Sequence, residues 1–134
     1  MNTFPLKIVT PDGMLFDGKA EELIVRSASG DLGILAGHMN CVAPLGMGLA
    51  TVVVEGKKRY AACIGGMVSV LNGQVNLVPT TFEWADKIDV ARAKASENRA
   101  KDVLNNKSSR DTDLRLAEAR LKRALIRQNV ASYK

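Results

Sequence analysis

The sequence predicts an α+β protein in which an antiparallel β-sandwich, residues 1–84, precedes a C-terminal αα-hairpin, residues 85–134. Residues 1–84 contain short runs rich in Val, Ile and Thr that are separated by turn signals. Residues 85–134 contain neither Gly nor Pro and are dominated by Ala, Leu, Lys and Arg. A change from two-residue periodicity to a periodicity of about 3.6 residues is typical of strands followed by helices.

The β unit is predicted from alternation and from turn residues. Pro11-Asp12-Gly13 is a turn signal, and Asn72-Gly73 is the strongest β-hairpin signal in the chain. About eight to ten short strands without intervening helices favour a sandwich or barrel. We expect the chain to leave the sheet after Pro79, at Thr80 and Thr81. The expected strands include residues 4–10, 14–16, 22–27, 49–54, 58–64, 67–71 and 74–78, with a glycine-punctuated β segment at 30–38.

Two amphipathic helices are predicted in the C-terminal unit. The first spans residues 88–104 with Asp86 as its N-cap, and the second spans residues 111–129 with Asp111 as its N-cap. A polar connector, loosened by Ser108 and Ser109, makes the two helices antiparallel neighbours. Because the facing side chains are largely alanine, the interface buries little apolar area, and we expect the hairpin to dock reversibly.

One face of the first helix carries charged groups at helical spacing. Asp89 and Arg92 are three residues apart, and Arg99 follows Arg92 by seven residues, so the three side chains share a face. The pattern alone leaves two interpretations open. The face is either solvated and stabilised by internal ion pairs, or it is a binding site that offers an acid and two guanidinium groups.

The net charge of +5 is unevenly distributed along the chain. Residues 1–84 carry six Lys/Arg and seven Asp/Glu, a net charge of −1, whereas residues 85–134 carry thirteen and seven, a net charge of +6. The basic helical half suits acidic protein surfaces, nucleotides or nucleic acid. Tyr133 is the only aromatic residue after Trp84, which weakens the case for single-stranded nucleic acid, where bases stack on aromatic rings.

The composition argues against an enzyme, a metal site and a membrane span. His38, Cys41 and Cys63 are too few ligands for a closed zinc site, and no oriented base completes a nucleophile pair. The glycine-rich segment 30–37 lacks the Gly-Lys-Ser/Thr ending of a phosphate loop. We expect both cysteines to be buried thiols rather than a disulfide. Without a long apolar run or a signal-peptide layout, the expectation is a soluble, cytoplasmic protein.

Several motifs in their order along the chain resemble one family. Gly30-Asp31-Leu32-Gly33-Ile34-Leu35-x-Gly37-His38 precedes Gly65-Gly66 and Asn72-Gly73, and two helices end the chain. In this arrangement the whole sequence resembles the epsilon subunit of bacterial F-type ATP synthase. Family members often have Pro where this sequence has Ala36 and Asn40, so the rigidity of that turn differs here.

The resemblance implies a non-catalytic, regulatory subunit of a proton-translocating rotary ATP synthase. It implies that the β-sandwich binds the gamma subunit and the c-subunit rotor ring, with His38 near the stalk contact. It also implies that the helical hairpin folds down or extends into the alpha/beta catalytic head, where it inhibits ATP hydrolysis. The location implied is peripheral, at the cytoplasmic face of the bacterial cell membrane, with contact to the membrane only through the complex.

The resemblance also implies ATP as a regulatory ligand. Ile88-Asp89-Val90-Ala91-Arg92-Ala93 matches the Ile/Leu-Asp-x-x-Arg-Ala motif through which bacillus-like members bind ATP in the folded hairpin. The positions that resemble those members' ligands are Glu83, Ile88, Asp89, Arg92, Ala93, Arg99, Arg123 and Arg127. Converging arginines would hold the phosphates, while the magnesium requirement is left open and no metal site is expected. The alternative function is a basic helical nucleic-acid-binding module on a β scaffold, using residues 115–127.

Overall fold

Ten strands precede two α-helices in the computed structural model, which describes residues 2–106 and 110–133. The predicted fold class, a β-sandwich followed by two helices, is confirmed. The chain divides into two compact units, Met1–Trp84 and Ala85–Lys134. The first contains every described strand and the second contains both described α-helices.

Two five-stranded sheets form the sandwich. In the first sheet, the order in space is β2 (Gly13–Ala20), β1 (Phe4–Thr10), β9 (Gln74–Val78), β8 (Met67–Leu71) and β5 (Cys41–Pro44). In the second sheet, the order is β10 (Thr81–Trp84), β7 (Lys57–Ile64), β6 (Met47–Val54), β3 (Glu22–Ser27) and β4 (Gly30–Leu35). The strand pairs are antiparallel except for β1 with β9, which run parallel.

The core lies between the two sheets and follows directly from the alternation in the sequence. Leu6 and Ile8 of β1 are fully buried, whereas Lys7 between them is partly exposed. Leu23 and Val25 of β3 show the same alternation from the second sheet. Successive side chains of a strand point to opposite faces, so each strand contributes every second residue to one shared apolar core.

The sequence prediction missed the last strand of the sandwich, although the predicted boundary at residue 84 coincides with the end of that strand. The chain does not leave the sheet after Pro79, because residues 81–84 form β10 and pair with β7 from Thr81 opposite Ile64 to Trp84 opposite Ala61. The ring of Trp84 is buried in an edge-to-face contact with Phe82, with centroids 4.9 Å apart. The guanidinium of Arg59 lies 3.7 Å above the ring of Trp84. These aromatic contacts stabilise a four-residue strand that has little strand signal of its own.

Two further strands differ from prediction. The strand predicted at 14–16 extends over the whole of β2, and β5 was not predicted at all. β5 is four residues long and contains Pro44, which is tolerated because β5 is an edge strand that pairs only with β8. Short edge strands with proline carry a weak sequence signal, and their existence depends on the neighbouring strand.

The helical unit begins with a 3-10 turn, Ala85–Lys87, followed by α1 (Val90–Asn105) and α2 (Asp111–Ala131). The predicted N-caps were wrong by three residues for α1 and by one residue for α2. Asp86 lies in the 3-10 turn, and Asp89 caps α1. Arg110 occupies the N-cap position of α2 without a side-chain bond, and Asp111 is the first helical residue. Ser108 and Ser109, expected to loosen the connector, lie outside the described residues.

Neither described helix is both long enough and apolar enough to cross a lipid bilayer. α1 and α2 pack against each other, and the Glu97 side chain in the middle of α1 bonds to Gln128 near the end of α2. Only five residues separate the end of α1 from the start of α2. The two helices therefore run antiparallel, as the sequence predicted.

Candidate functional site

The motif at residues 88–93 builds the start of α1. Asp89 has extended backbone angles, and its Oδ1 accepts a hydrogen bond of 3.0 Å from the backbone N–H of Arg92. This bond satisfies one of the N–H groups that the first turn of a helix leaves without an intrahelical partner. Helix capping is therefore the role of Asp89 that the structure shows directly. The prediction that Asp89 lies on a helix face misplaced it by one turn, because the helix begins only at Val90.

An alanine seam joins the two helices. It comprises the buried alanines at seven-residue spacing on both helices, which are Ala93, Ala100, Ala117, Ala124 and Ala131. Seven residues are nearly two helical turns, so the seam follows one face of each helix. Alanine allows close approach of the backbones and buries little apolar area per residue. The seam thus supports the small interface that the sequence indicated.

Four arginines of the predicted site lie at short, fixed sequence distances before the alanines of this seam. Arg92, Arg99 and Arg123 each precede a seam alanine by one residue, and Arg127 precedes Ala131 by four residues. At about 100° per residue, the first three positions lie about 100° before the seam, and Arg127 lies about 40° before it. Arg92 and Arg99 are exposed, while Arg123 and Arg127 are partly buried.

The opposite side of the seam is marked by the contact between Glu97 and Gln128. Glu97 follows Ala93 by four residues and Gln128 follows Ala124 by four residues, so each lies about 40° after the seam. Their side chains meet at 2.9 Å. In an antiparallel pair, positions after the seam on both helices share one edge, and positions before it share the other. We call the second edge, formed by Arg92, Arg99, Arg123 and Arg127, the arginine edge.

The arginine edge carries on one side of the alanine seam the four basic residues that the sequence proposed as phosphate ligands. Guanidinium groups present several N–H donors in a planar fork that matches the oxygens of phosphate or carboxylate. Four such groups on one edge of a two-helix unit favour a ligand with several negative charges.

The remaining predicted ligands occupy different environments. Ile88 and Ala93 are buried, with 5% and 3% of their surfaces exposed, and the backbone N–H of Ile88 donates to the carbonyl of Ala85 at 3.4 Å. Glu83 is partly buried in β10, where it lies opposite Ala62 of β7. The structure therefore brings the arginines to one edge, while Glu83 belongs to the β unit.

Glu97 is a residue whose role the sequence analysis missed. It is only 3% exposed, yet its carboxylate accepts hydrogen bonds from Lys101, Gln128 and Lys94. The Lys101 ammonium at 2.7 Å and the Gln128 amide lower the pKa of Glu97 to about 2. The signal was present in the sequence, because Glu97 falls between Ala93 and Ala100 at the i, i+4, i+7 spacing of a buried face.

The segment around His38 forms a fixed turn. The backbone N–H of His38 donates to the carbonyl of Leu35 at 3.2 Å, and its imidazole Nδ1–H donates to the carbonyl of Met39 at 2.8 Å. The Asn40 Oδ1 accepts from the backbone N–H of Asn72 at 2.8 Å, which ties this turn to the β8–β9 hairpin. Asn40 thus supplies a tertiary hydrogen bond that a proline at this position would lack.

Neither cysteine forms a disulfide. Cys63 is buried, and burial raises the pKa of its thiol to about 12, while Cys41 is partly buried. Within residues 2–106 and 110–133, no group of three or more His, Cys, Asp or Glu side chains is placed to hold a metal ion.

An exposed apolar surface covers one end of the first sheet. We call it the outer apolar face; it comprises the outward-pointing apolar side chains of β5, β8 and β9, which are Val42, Pro44, Met67, Leu71 and Val78. The polar side chains of Ser69, Gln74 and Asn76 share this face of the sheet. The strand register places Pro44 opposite Met67, and Met67 opposite Val78, so these side chains form a continuous row. A contiguous apolar patch of this kind is typical of a surface that contacts another protein. The sequence alone did not identify it, because the face depends on sheet register.

Comparison with known proteins places both units in one family. Residues 3–85 match the model of the ATP synthase delta/epsilon chain β-sandwich domain, and residues 86–132 match the model of the ATP synthase delta/epsilon chain long α-helix domain. The chain is 45% identical over 131 residues to the ATP synthase epsilon chain of Bacillus velezensis, covering 98% of both chains. It is 41% identical to the ATP synthase epsilon chain of Ruminococcus albus over the full length of both chains.

Solved structures show the same fold at lower sequence identity. A chain of the Euglena gracilis mitochondrial ATP synthase superposes with a TM-score of 0.70 at 22% identity, covering 97% of this chain and 78% of the other. A chain from the central stalk and c-ring of the Tetrahymena thermophila mitochondrial ATP synthase superposes with a TM-score of 0.61 at 14% identity, covering 95% of both. With family models that match both units and relatives that match along its full length, this chain belongs to the ATP synthase delta/epsilon chain family.

Proposed function

We propose that this chain is the epsilon subunit in the central stalk of a bacterial F-type ATP synthase. Membership in the family makes it a non-catalytic subunit of that complex. The proposal is supported by relatives named ATP synthase epsilon chain that match over nearly the whole length of this chain. The chain would be peripheral, at the cytoplasmic face of the membrane, and would reach the membrane only through the complex.

In this proposal the β unit is the part that binds the stalk and the rotor. The outer apolar face offers the gamma subunit or the c-subunit ring a surface that becomes favourable to bury on association. The ordered turn at His38 and Asn40 is a second contact candidate, since its hydrogen bonds hold it in one conformation. Coupling of the stalk to the proton-driven ring requires a rigid element, and a sandwich with a continuous core provides one.

The helical unit is the proposed regulatory part. The alanine seam contributes little buried apolar area, so the balance between packed and separated helices lies within reach of modest free-energy changes. Extended helices with a net charge of +6 over residues 85–134 would meet acidic surfaces of the alpha/beta catalytic head and inhibit ATP hydrolysis by obstruction. The nucleic-acid hypothesis rested on this positive charge alone. For a member of an ATP synthase family, we propose instead that the charge contacts acidic surfaces of the catalytic head.

ATP is the proposed ligand of the packed helices, and the observation that carries this proposal is the arginine edge. A nucleotide triphosphate bears several negative charges and would offset the repulsion among the four guanidinium groups. Asp89 would accept from the exocyclic amine of the base. Ile88 and Ala93 are buried in the packed helices, so they would contact the base only after a local change that exposes them. Ligand at 100 times its dissociation constant stabilises the state it binds by about 2.7 kcal/mol, enough to shift a nearly balanced helix pair.

The test of the ATP site is a charge-matched pair of variants in the full chain. Arg92→Gln with Arg99→Gln removes two charges from the arginine edge. Arg110→Gln with Arg115→Gln removes two charges elsewhere on the helical unit. Millimolar ATP should raise the unfolding temperature of the wild type and of the Arg110/Arg115 variant, but not that of the Arg92/Arg99 variant. The titration is run with and without magnesium. A wild-type unfolding profile that ATP leaves unchanged would contradict the proposed site.

The test of regulation uses a catalytic head that lacks this subunit. Adding the full chain should inhibit ATP hydrolysis, and residues 1–86 should bind without inhibiting. Inhibition by residues 1–86 alone would assign the effect to the β unit. Failure of both to bind would contradict the stalk assignment itself.

A further inference from the structure

Glu97 is an unusual residue to find at the interface between the two helices. Its side chain is 5% exposed and lies between Ala93 and Ala100 in the buried face of α1. Burying a carboxylate is unfavourable unless the charge is paired and its oxygens accept hydrogen bonds. Both conditions are met here, because Oε1 accepts from Gln128 Nε2 at 2.9 Å and Oε2 accepts from Lys101 Nζ at 2.7 Å.

The partners of Glu97 divide into two kinds. Lys94 and Lys101 belong to the same helix, at i−3 and i+4, and their side chains are about half exposed. Gln128 belongs to the other helix. When the helices separate, the two lysines can stay with Glu97 and neutralise its charge, whereas the bond to Gln128 breaks. Both groups that lose this bond are polar and are then hydrated by water.

We propose that the Glu97–Gln128 pair is a reversible latch that holds the two helices in one register without a ligand, and that its release adds no large apolar side chain to the small alanine surface exposed on separation. The Glu97–Gln128 hydrogen bond is directional, so it favours one alignment of two alanine-rich faces that could otherwise slide. Because the Glu97–Gln128 bond is exchanged for bonds to water on separation, its net contribution is enough to bias the helix pair and too little to lock it.

The latch and the arginine edge lie on opposite sides of the alanine seam. Glu97 and Gln128 lie after the alanine seam on their helices, and the arginines lie before it. The helix pair therefore has a ligand-free closure on one edge and the proposed anion site on the other. The regulatory meaning of the latch rests on the proposed function, but its effect on helix packing does not.

Three variants of the full chain test the latch. Gln128→Leu removes the bond between the helices and leaves both lysines on Glu97. Glu97→Leu with Gln128→Leu replaces the polar pair by an apolar contact. Glu118→Gln is the matched control, since Glu118 is an exposed carboxylate of α2.

Helix separation is read as the distance between nitroxide labels on α1 and α2, measured by electron spin resonance without nucleotide or any other subunit. The labels replace the exposed Asn98 and Leu125 in a background with Cys41→Ser and Cys63→Ala. Relative to the labelled parent, Gln128→Leu should raise the ratio of separated to packed helices about tenfold, the scale of one hydrogen bond to a charged group. The double leucine variant should lower that ratio about tenfold, because separation would expose two leucines.

Each outcome decides the proposal. A Gln128→Leu distribution that equals that of Glu118→Gln overturns the latch. If the variant Glu97→Leu with Gln128→Leu has the same ratio of separated to packed helices as Gln128→Leu, then the polar pair is not what makes helix packing reversible, and that part of the proposal is overturned. Helical circular dichroism distinguishes separated helices from unfolded ones, and loss of helix in Gln128→Leu would also overturn a purely tertiary latch. Failure of inhibition or of ATP binding leaves these distances unchanged, so the two proposals fail separately.

Discussion

Asp89 allows the capping role and the ligand role of one carboxylate to be separated by mutation. Its Oδ1 accepts the backbone N–H of Arg92 at 3.0 Å, at the position where α1 begins. Asp89→Ala removes both the acceptor and the negative charge. Asp89→Asn keeps an acceptor of similar shape and removes only the charge. If Asp89 acts mainly as a cap, the two variants must differ.

The expected magnitudes follow from the geometry of the helix start. Loss of a capping side chain costs about 1 kcal/mol, and loss of a negative charge at an exposed helix N-terminus costs about 0.5 kcal/mol. Asp89→Ala should therefore destabilise the packed helices by roughly 1.5 kcal/mol, and Asp89→Asn by roughly 0.5 kcal/mol. These values correspond to about tenfold and about twofold in the ratio of separated to packed helices.

The assay is amide hydrogen exchange across residues 90–105, combined with calorimetric titration of ATP. Exchange reports the population of the separated or frayed helix, and the apparent ATP affinity falls with the fraction of binding-competent protein. Asp89→Asn should retain most of the protection and most of any ATP affinity, and Asp89→Ala should lose about tenfold in both. Equal losses in the two variants would refute the capping argument, because they would show that the carboxylate acts through its charge.

Three further predictions concern pH, thiol reactivity and backbone geometry. The folded pKa of Glu97, about 2, lies below its ordinary value of 4.5, so its stabilising contribution is present above about pH 4.5 and is lost as the pH falls toward 2. The difference in the free energy of urea unfolding between the wild type and Glu97→Gln should therefore be constant from pH 5 to about 8 and should vanish in acid. A difference that stays constant down to pH 2 would contradict this role of the Glu97 carboxylate. The pKa of Cys63 is raised to about 12, so Cys63 should react with a thiol reagent at pH 8 roughly a thousandfold more slowly than an unhindered cysteine. Cys41, which is partly buried, should react first, and equal rates for the two thiols would contradict the burial of Cys63. Gly66→Ala would place a Cβ 2.1 Å from the carbonyl oxygen of Val78 at a φ of 92°, and should cost about 3–5 kcal/mol in urea unfolding. Gly73→Ala, at a φ of 82° with open space, should cost only about 1–2 kcal/mol, and equal costs would refute the steric argument.

The sandwich was predictable wherever local pattern and tertiary burial agree. The alternation over residues 4–10 identified β1, and Asn72-Gly73 identified a hairpin whose two turn residues have φ of 51° and 82°. β10 was missed because its stability comes from contacts across the sheet, notably Arg59 on Trp84. A four-residue strand after a proline has no local pattern strong enough to predict those contacts.

The candidate site was predictable to a different extent. The motif at 88–93 and the arginines were named from a family resemblance, and the relation of the arginines to the alanine seam could be read from their spacing. The cap could not be assigned with certainty, because Asp86 and Asp89 both suit an N-cap and only backbone geometry separates them. Glu97 was missed because a charged residue at a seam position is ordinarily assigned to solvent.

The composition of the seam explains why a helix pair of this kind can be both ordered and reversible. Leucines at the seam positions would add buried apolar area and would make separation expose that area to water. Alanines with one polar pair give a packed state whose loss exposes little apolar surface and whose register is still specified by the bond from Gln128 to Glu97. A polyanion bound at the arginine edge would add to the stability of the packed state. Under the proposed function, the sequence thus keeps the helix pair close to the point at which a nucleotide or a partner surface can decide its state.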